Sequence, residues 1–174
     1  MLKRATIILF TAILICLALT ACSGQSVDLY FTVESEGSFY LQAQTRQVKS
    51  SPNIYQASLE QLIAGPGQSN LLPTIPASTK VNHVKVDNGL AIADFSAHIL
   101  TDTSIPHSST TEKLAIYSIV NTLTQFEGIE KVRITVENKS SGTIDGRSIE
   151  DFWGHIGLYD DFSKNEEIIL KNEN

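Results

Sequence analysis

The chain has 174 residues, a net charge of −6 and two cysteines. That length suits one domain, at roughly 100–200 residues each. A composition of 42% hydrophobic and 18% charged residues excludes a fully disordered chain. The apolar residues are unevenly spread: Ala5 to Ala21 is almost wholly apolar and uncharged, behind Lys3 and Arg4. Those two hold 2 of the 13 basic groups, and no acidic group precedes Cys22, so the part after Ala21 carries −8. Such a body is too acidic for a nucleic-acid binder that works by neutralising phosphates. Phosphate-loop, dinucleotide and zinc-ligand spacings are absent, so no cofactor and no metal site is assigned.

A charged start, an apolar stretch of about 15 residues and small residues at its end read as a secretory signal over residues 1–21. A membrane span needs ~20 apolar residues. The stretch ends in Leu19-Thr20-Ala21-Cys22, which resembles the lipobox of bacterial lipoproteins. That resemblance implies a thioether-linked diacylglyceryl group on Cys22 and cleavage before it. Cys22 is therefore the one site residue assigned, for lipidation. Cys16 leaves with the leader, and no intramolecular disulfide forms. Two acyl chains anchor firmly where one is marginal. Residues 22–26 read as a short tether, reaching roughly 15 Å. The expected location is the outer face of the bacterial cytoplasmic membrane.

The body is expected to fold over residues 27–162, with a tail at 163–174. Val27 to Val33 is β-branched and aromatic and predicts a strand. Glu34 to Gly37 predicts a turn. Phe39, Leu41 and Ala43 then alternate with Tyr40, Gln42 and Gln44, predicting a half-buried strand that closes a hairpin. Ser51-Pro52 predicts the start of a helix, with serine as cap and proline at the first position. Its apolar face runs from Ile54 to Ile63, and Gly65-Pro66-Gly67 stops it. The apolar residues of Leu71 to Pro76 are expected to pack down. Asp87-Asn88-Gly89 predicts a tight hairpin between Lys80–Val86 and Leu90–Phe95. Ser96 to Leu100 predicts one helical turn. Ser109-Thr110-Thr111-Glu112 predicts a capping box, opening a broadly apolar helix that Gly128 stops. Val132, Ile134 and Val136 predict the next strand. Phe152, Trp153, Ile156, Leu158, Tyr159 and Phe162 predict a wrap against the domain, and Lys171 to Asn174 a frayed end. The order β-β-α-β-β-α-β gives an α+β fold with helices on one sheet face.

No catalytic set emerges, so the chain is expected not to be an enzyme. His83, His98, His107 and His155 lack the i, i+4 spacing of a zinc helix. His107 beside Ser108-Ser109 lacks a nucleophile's context, since Ser109 reads as a cap. Asp160-Asp161 and Glu166-Glu167 are chain neighbours, whereas glycosidase carboxylates face each other across a cleft.

Four segments resemble the GerMN domain family. Leu59-Glu60-Gln61-Leu62-Ile63-Ala64-Gly65-Pro66 and Leu72-Pro73-Thr74-Ile75-Pro76 are similar to its first helix and following loop. Ala93-Asp94-Phe95-Ser96 is similar to its motif after the second hairpin. Tyr117 to Thr124, with Phe126, is similar to its second helix. The resemblance implies a fold like ring-building modules, with two helices against one face of a small, mostly antiparallel sheet. It implies a membrane-tethered extracytoplasmic module with a protein partner or homo-oligomer, in sporulation or germination envelope complexes. The alternative is a cell-wall or small-ligand-binding lipoprotein, using the Leu71–Pro76 and Thr101–Ser109 loops around a pocket.

Overall fold

β-Branched and aromatic residues build a long antiparallel hairpin, β1 (Gly24–Ser35) with β2 (Ser38–Lys49), paired from Gly24–Lys49 to Ser35–Ser38. The computed structural model describes residues 24–171; the signal segment, Cys22 and residues 172–174 lie outside the described residues. Gly24, Gln25 and Ser26, expected as tether, are strand residues opposite Lys49, Val48 and Gln47. Their backbone groups find partners on β2, which an isolated tether would leave to water. Val27, Leu29, Phe31 and Val33 enter the main core. In β2 the inward face is the polar one. Gln44 is buried, and its Oε1 accepts from the Gly67 N–H at 3.0 Å and from Arg46 Nη2 at 2.6 Å.

α1 (Ile54–Ile63) starts two residues later than expected. Asn53 is the cap: its Oδ1 accepts from Gln56 N–H at 3.0 Å, while its Nδ2 donates to the Val84 carbonyl at 2.8 Å. One amide side chain thus caps the helix and ties it to the strand that carries Val84, a double role that Ser51 lacks. At the other end Arg46 donates to the Gly65 carbonyl at 2.7 Å, a cation where helix carbonyls need donors. Leu71 and Ile75 pack down after this helix, but Leu72 stays half-exposed.

β3 (Val81–Asp87) and β4 (Leu90–Phe95) form the expected hairpin. Asn88 and Gly89 both take positive φ, 47° and 83°, as a two-residue turn of this hand requires. The chain then crosses over through α2 (His98–Thr101) and α3 (Ser109–Leu123). It returns as β5 (Lys131–Val136), parallel to β4 from Leu90–Lys131 to Phe95–Val136. A parallel pair needs such a long connection. Short β6 (Thr143–Ile144) and β7 (Arg147–Ser148) form a small hairpin, and β8 (Phe162–Ser163) adds to β5, giving the order β3-β4-β5-β8.

The fold is α+β, with few helices packed on antiparallel and mixed sheets. α1 touches β1, β2, β3 and α3, while α3 touches β1, β2 and β5. The helix pair therefore joins the long hairpin to the sheet, which explains why α3 is apolar nearly all round. Ile116, Ile119 and Leu123 are fully buried beside Phe95, Val132 and Ile134, each contributing about 1.5–3 kcal/mol by leaving water.

The segment expected as a tail is docked. Ile168 is buried with Tyr30, Leu41 and Leu114 in a second small cluster. Asn121 exchanges two hydrogen bonds with the Asn165 backbone, at 2.8 and 2.9 Å. The wrap buries Phe152, Trp153 and Leu158 but leaves Ile156 and Tyr159 exposed. Gly157 sits at φ +77°, and a Cβ there would lie 2.5 Å from the Glu150 carbonyl oxygen and 2.3 Å from Tyr159 Cε2. The Tyr159 ring can move, but the backbone carbonyl cannot do so cheaply. Gly157→Ala is expected to cost about 2 kcal/mol in denaturant unfolding. Adding Tyr159→Ala should restore little of that loss.

Candidate functional site

The two loops expected around a pocket do meet. Leu72 and Pro73 from one, with Ile105 and Pro106 from the other, line a groove of about 430 Å³ completed by Phe39 and Leu114. Phe39 and Leu72 are 44% and 49% exposed, so the groove opens to solvent. Thr32, Ser104 and Thr111 supply the polar atoms of its wall, and no charged side chain lines it. Phe39 and Leu114 also border a second groove of about 390 Å³, with Ile156, Ile168 and Lys113. Among the described residues, three of the five exposed large hydrophobics therefore share one stripe.

The Thr101–Ser109 wall is held by polar chemistry. Asp102 accepts hydrogen bonds from the Ser78 hydroxyl and, at 2.7 Å, from the Ser104 N–H. The Ser78 bond, then those to Ser104, hold the Asp102 carboxyl down at about 2, from an ordinary 3.8. The folded value lies below the unfolded one. This bond's support is therefore complete above about pH 4 and is lost as pH falls through about 2. Ser78→Ala should raise the Asp102 carboxyl titration measured by NMR.

His107 Nε2 donates to the Asp102 carbonyl at 3.2 Å, because a carbonyl oxygen can only accept. Its ring stacks on Trp153 at 4.6 Å, and Trp153 stacks on Phe152 at 5.0 Å. The Trp153 indole N–H donates to the Ile99 carbonyl at 2.8 Å. This stack backs the loop of Ile105 and Pro106. His107 thus packs in a three-ring stack with Trp153 and Phe152.

The capping box is shifted by one residue. Ser108, not Ser109, is the cap: its Oγ accepts from Thr111 N–H at 3.2 Å, and Thr111 Oγ1 accepts from Ser108 N–H at 3.0 Å. Glu112 is thereby free for a distant task. Fully buried, it accepts from the backbone N–H groups of His155, Ile156 and Gly157 at 2.8, 2.9 and 2.9 Å. Its place in the first turn of α3 also suits a negative charge. Local spacing gave no signal for this clasp, because the donors lie over forty residues away.

The remaining histidines and the acidic pairs are spread over the fold. His83 lies on β3, His98 on α2 and His155 in the wrap. Among the described residues, no three His, Cys, Asp or Glu side chains are grouped to hold a metal. Asp161 pairs with Arg133 through two bonds, 2.6 and 2.8 Å, and Glu166 pairs with Lys164 at 2.7 Å. Cys22 lies outside the described residues. No helix of the described residues is long and apolar enough to cross a membrane.

The family model described as "Germane: Sporulation and spore germination" matches residues 28–142. The chain belongs to this family. It is also 30% identical over 138 residues to spore germination protein GerM of Bacillus subtilis (strain 168), covering 76% of this chain and 34% of that one. The chain thus spans about a third of the length of that curated relative. The first GerMN domain of the Bacillus subtilis sporulation protein GerM has a TM-score of 0.59 at 26% identity, covering 80% of this chain and 97% of that one. The tandem GerMN domains of the same protein give 0.64 at 22% identity, covering 85% and 48%. This Germane chain therefore has the GerMN fold. The motif Ala93–Ser96 also gains a physical reason. Asp94 is fully buried and holds Thr135, Asn138 and Asn82 at 2.7, 2.7 and 2.8 Å.

Proposed function

We propose that this Germane protein is a non-enzymatic interaction module, anchored by lipid on Cys22 outside the cytoplasmic membrane and working in sporulation or germination envelope complexes. The family match over residues 28–142 carries the sporulation part of this reading. Leu19-Thr20-Ala21-Cys22 supports the anchor. Because β1 starts at Gly24, only Ser23 separates Cys22 from the folded strand, which would hold the domain hard against the bilayer. An acidic body is repelled by anionic lipid, so the acyl chains must do the holding. Cys22→Ser is expected to move the chain from the membrane pellet to the soluble fraction, and wild-type Cys22 to carry a diacylglyceryl mass. A Cys22→Ser chain that stays in the pellet overturns the anchor.

The apolar groove favours a second reading, a small-ligand-binding lipoprotein. Its size falls within the usual ligand range of ~300–1,000 Å³. Its uncharged wall suits an apolar group and suits a polar glycan poorly. Retention on purified peptidoglycan at low salt is the result that would favour the wall glycan instead.

A further inference from the structure

The uncharged groove and its neighbour meet at Phe39 and Leu114, but their chemistry differs. The first, of about 430 Å³, offers a ligand few hydrogen bonds. Pro73 and Pro106 have no N–H to give. The Thr32 backbone is spent on Leu72, through two bonds at 3.0 and 2.8 Å. The Thr111 hydroxyl donates to the Pro106 carbonyl at 2.6 Å. A peptide laid there would leave its own N–H and C=O groups without partners. A hydrocarbon chain brings no such groups, and leaving water favours its entry. The second groove adds charge. Ser109, Thr110 and Lys113 line it from one side of α3, spaced three and four residues apart. Glu167 lines it too. Lys113 and Glu167 are exposed, and neither makes an ion pair among the described residues. The C-terminal strap meets β2 at Leu41 and runs parallel to it, away from Phe39, so it does not cross the place where the two grooves join.

We propose that the joined grooves hold a single-chain lipid with a zwitterionic head, its acyl chain in the first groove and its head in the second. This rests on the ligand-binding reading of the groove and names the ligand. Lys113, with the Ser109 and Thr110 hydroxyls, takes the phosphate of the head, since an ammonium binds phosphate as a point charge. Glu167 takes the head's own ammonium group. Charge complementarity therefore sets the head: one cation and one anion of the protein face one of each in the ligand. Size sets the chain number. A groove of about 430 Å³ lies near the lower end of the usual ~300–1,000 Å³, and a two-chain lipid would leave its second chain in water.

Photolabelling of the full chain in its membranes tests this. The probe is palmitoyl lysophosphatidylethanolamine with a diazirine in the acyl chain, used below its micelle concentration. Adducts should fall on the peptides carrying Phe39, Leu72 and Ile105, at least tenfold above the peptide carrying Val86, an exposed hydrophobic residue on β3. Leu72→Lys puts a charge at a half-exposed groove position and spares the core. It should cut the groove adducts at least tenfold while the thermal midpoint holds. Lys113→Gln should cut labelling by the lysolipid at least threefold and leave labelling by a diazirine alkane, which has no head, unchanged. Labelling of Val86 as strong as that of Leu72 would show mere contact with the bilayer and overturn the proposal. Indifference to Leu72→Lys or to Lys113→Gln also overturns it. Should the alkane label the groove and the lysolipid not, the ligand-binding reading stands and the proposal falls; should neither label it, both fall. Labelling seen only in Cys22→Ser would make the chain's own acyl groups the occupant, and the proposal falls there too.

Discussion

Replacing Glu112 with alanine is expected to lower the unfolding free energy by about 3 kcal/mol or more. The carboxylate is fully buried and receives three backbone N–H groups of the His155–Gly157 turn. Bonds to a charged group contribute about 1.5–3 kcal/mol each, and a buried donor left without a partner adds its own penalty. Glu112→Gln should lose about 1–2 kcal/mol, because its amide turns a donor toward a donor. The effect should also reach the groove. The turn carries the wrap, and the wrap holds Trp153 against His107 and Phe152. Near-UV circular dichroism of Trp153, the single tryptophan, should weaken in Glu112→Ala under native conditions. A variant that loses stability while keeping the full Trp153 signal would show that the clasp does not position the stack.

Much of the fold was legible because its signals are local. Asn88-Gly89 states its own φ preference, and Val132, Ile134 and Val136 state a strand by their period of two. The run from Leu114 to Phe126 is apolar on too many sides for a surface helix, and α3 is indeed held between hairpin and sheet. The misses are long-range. Glu112 stands where a capping box wants an acid, but a competing cap one residue earlier frees it for a distant turn. Asn53 displaces Ser51 as cap because it can also bond Val84. Gly24 to Ser26 carry no strand signal of their own and are extended only because β2 is long enough to pair with them. Residues 164–170 read as polar tail, yet Asn121 and Leu41 bind their backbone.

The candidate site divides in the same way. The meeting of the Leu71–Pro76 and Thr101–Ser109 loops was legible from two proline-containing runs flanking the second hairpin. Phe39 and Leu114 as the remaining walls were not. Phe39 lies on the β2 face that turns outward, because Gln44 and Arg46 on the other face secure the end of α1. A polar inward face is stable only with such partners, and a partner twenty residues away leaves no mark on the local alternation.

Asp94 should separate charge from shape. Its Oδ1 accepts from the Thr135 hydroxyl and the Asn138 N–H, and its Oδ2 from Asn82 Nδ2. It thus ties β4 to its neighbours on both sides and to the turn after β5, where Asn138 holds a φ of 62°. Asp94→Ala removes the common acceptor of three donors and should cost about 3–4 kcal/mol. Asp94→Asn keeps Oδ1 in place, and a flip of the Asn82 amide would present an acceptor to the new donor. That variant should cost only about 1 kcal/mol. The contrast with Glu112→Gln is instructive: backbone N–H donors cannot flip, whereas a side-chain amide can. In Asp94→Ala the Asn138 amide should exchange with solvent at least tenfold faster, relative to amides of α1. Equal losses for the alanine and asparagine variants would mean that the negative charge, not the pattern of acceptors, holds the three segments together.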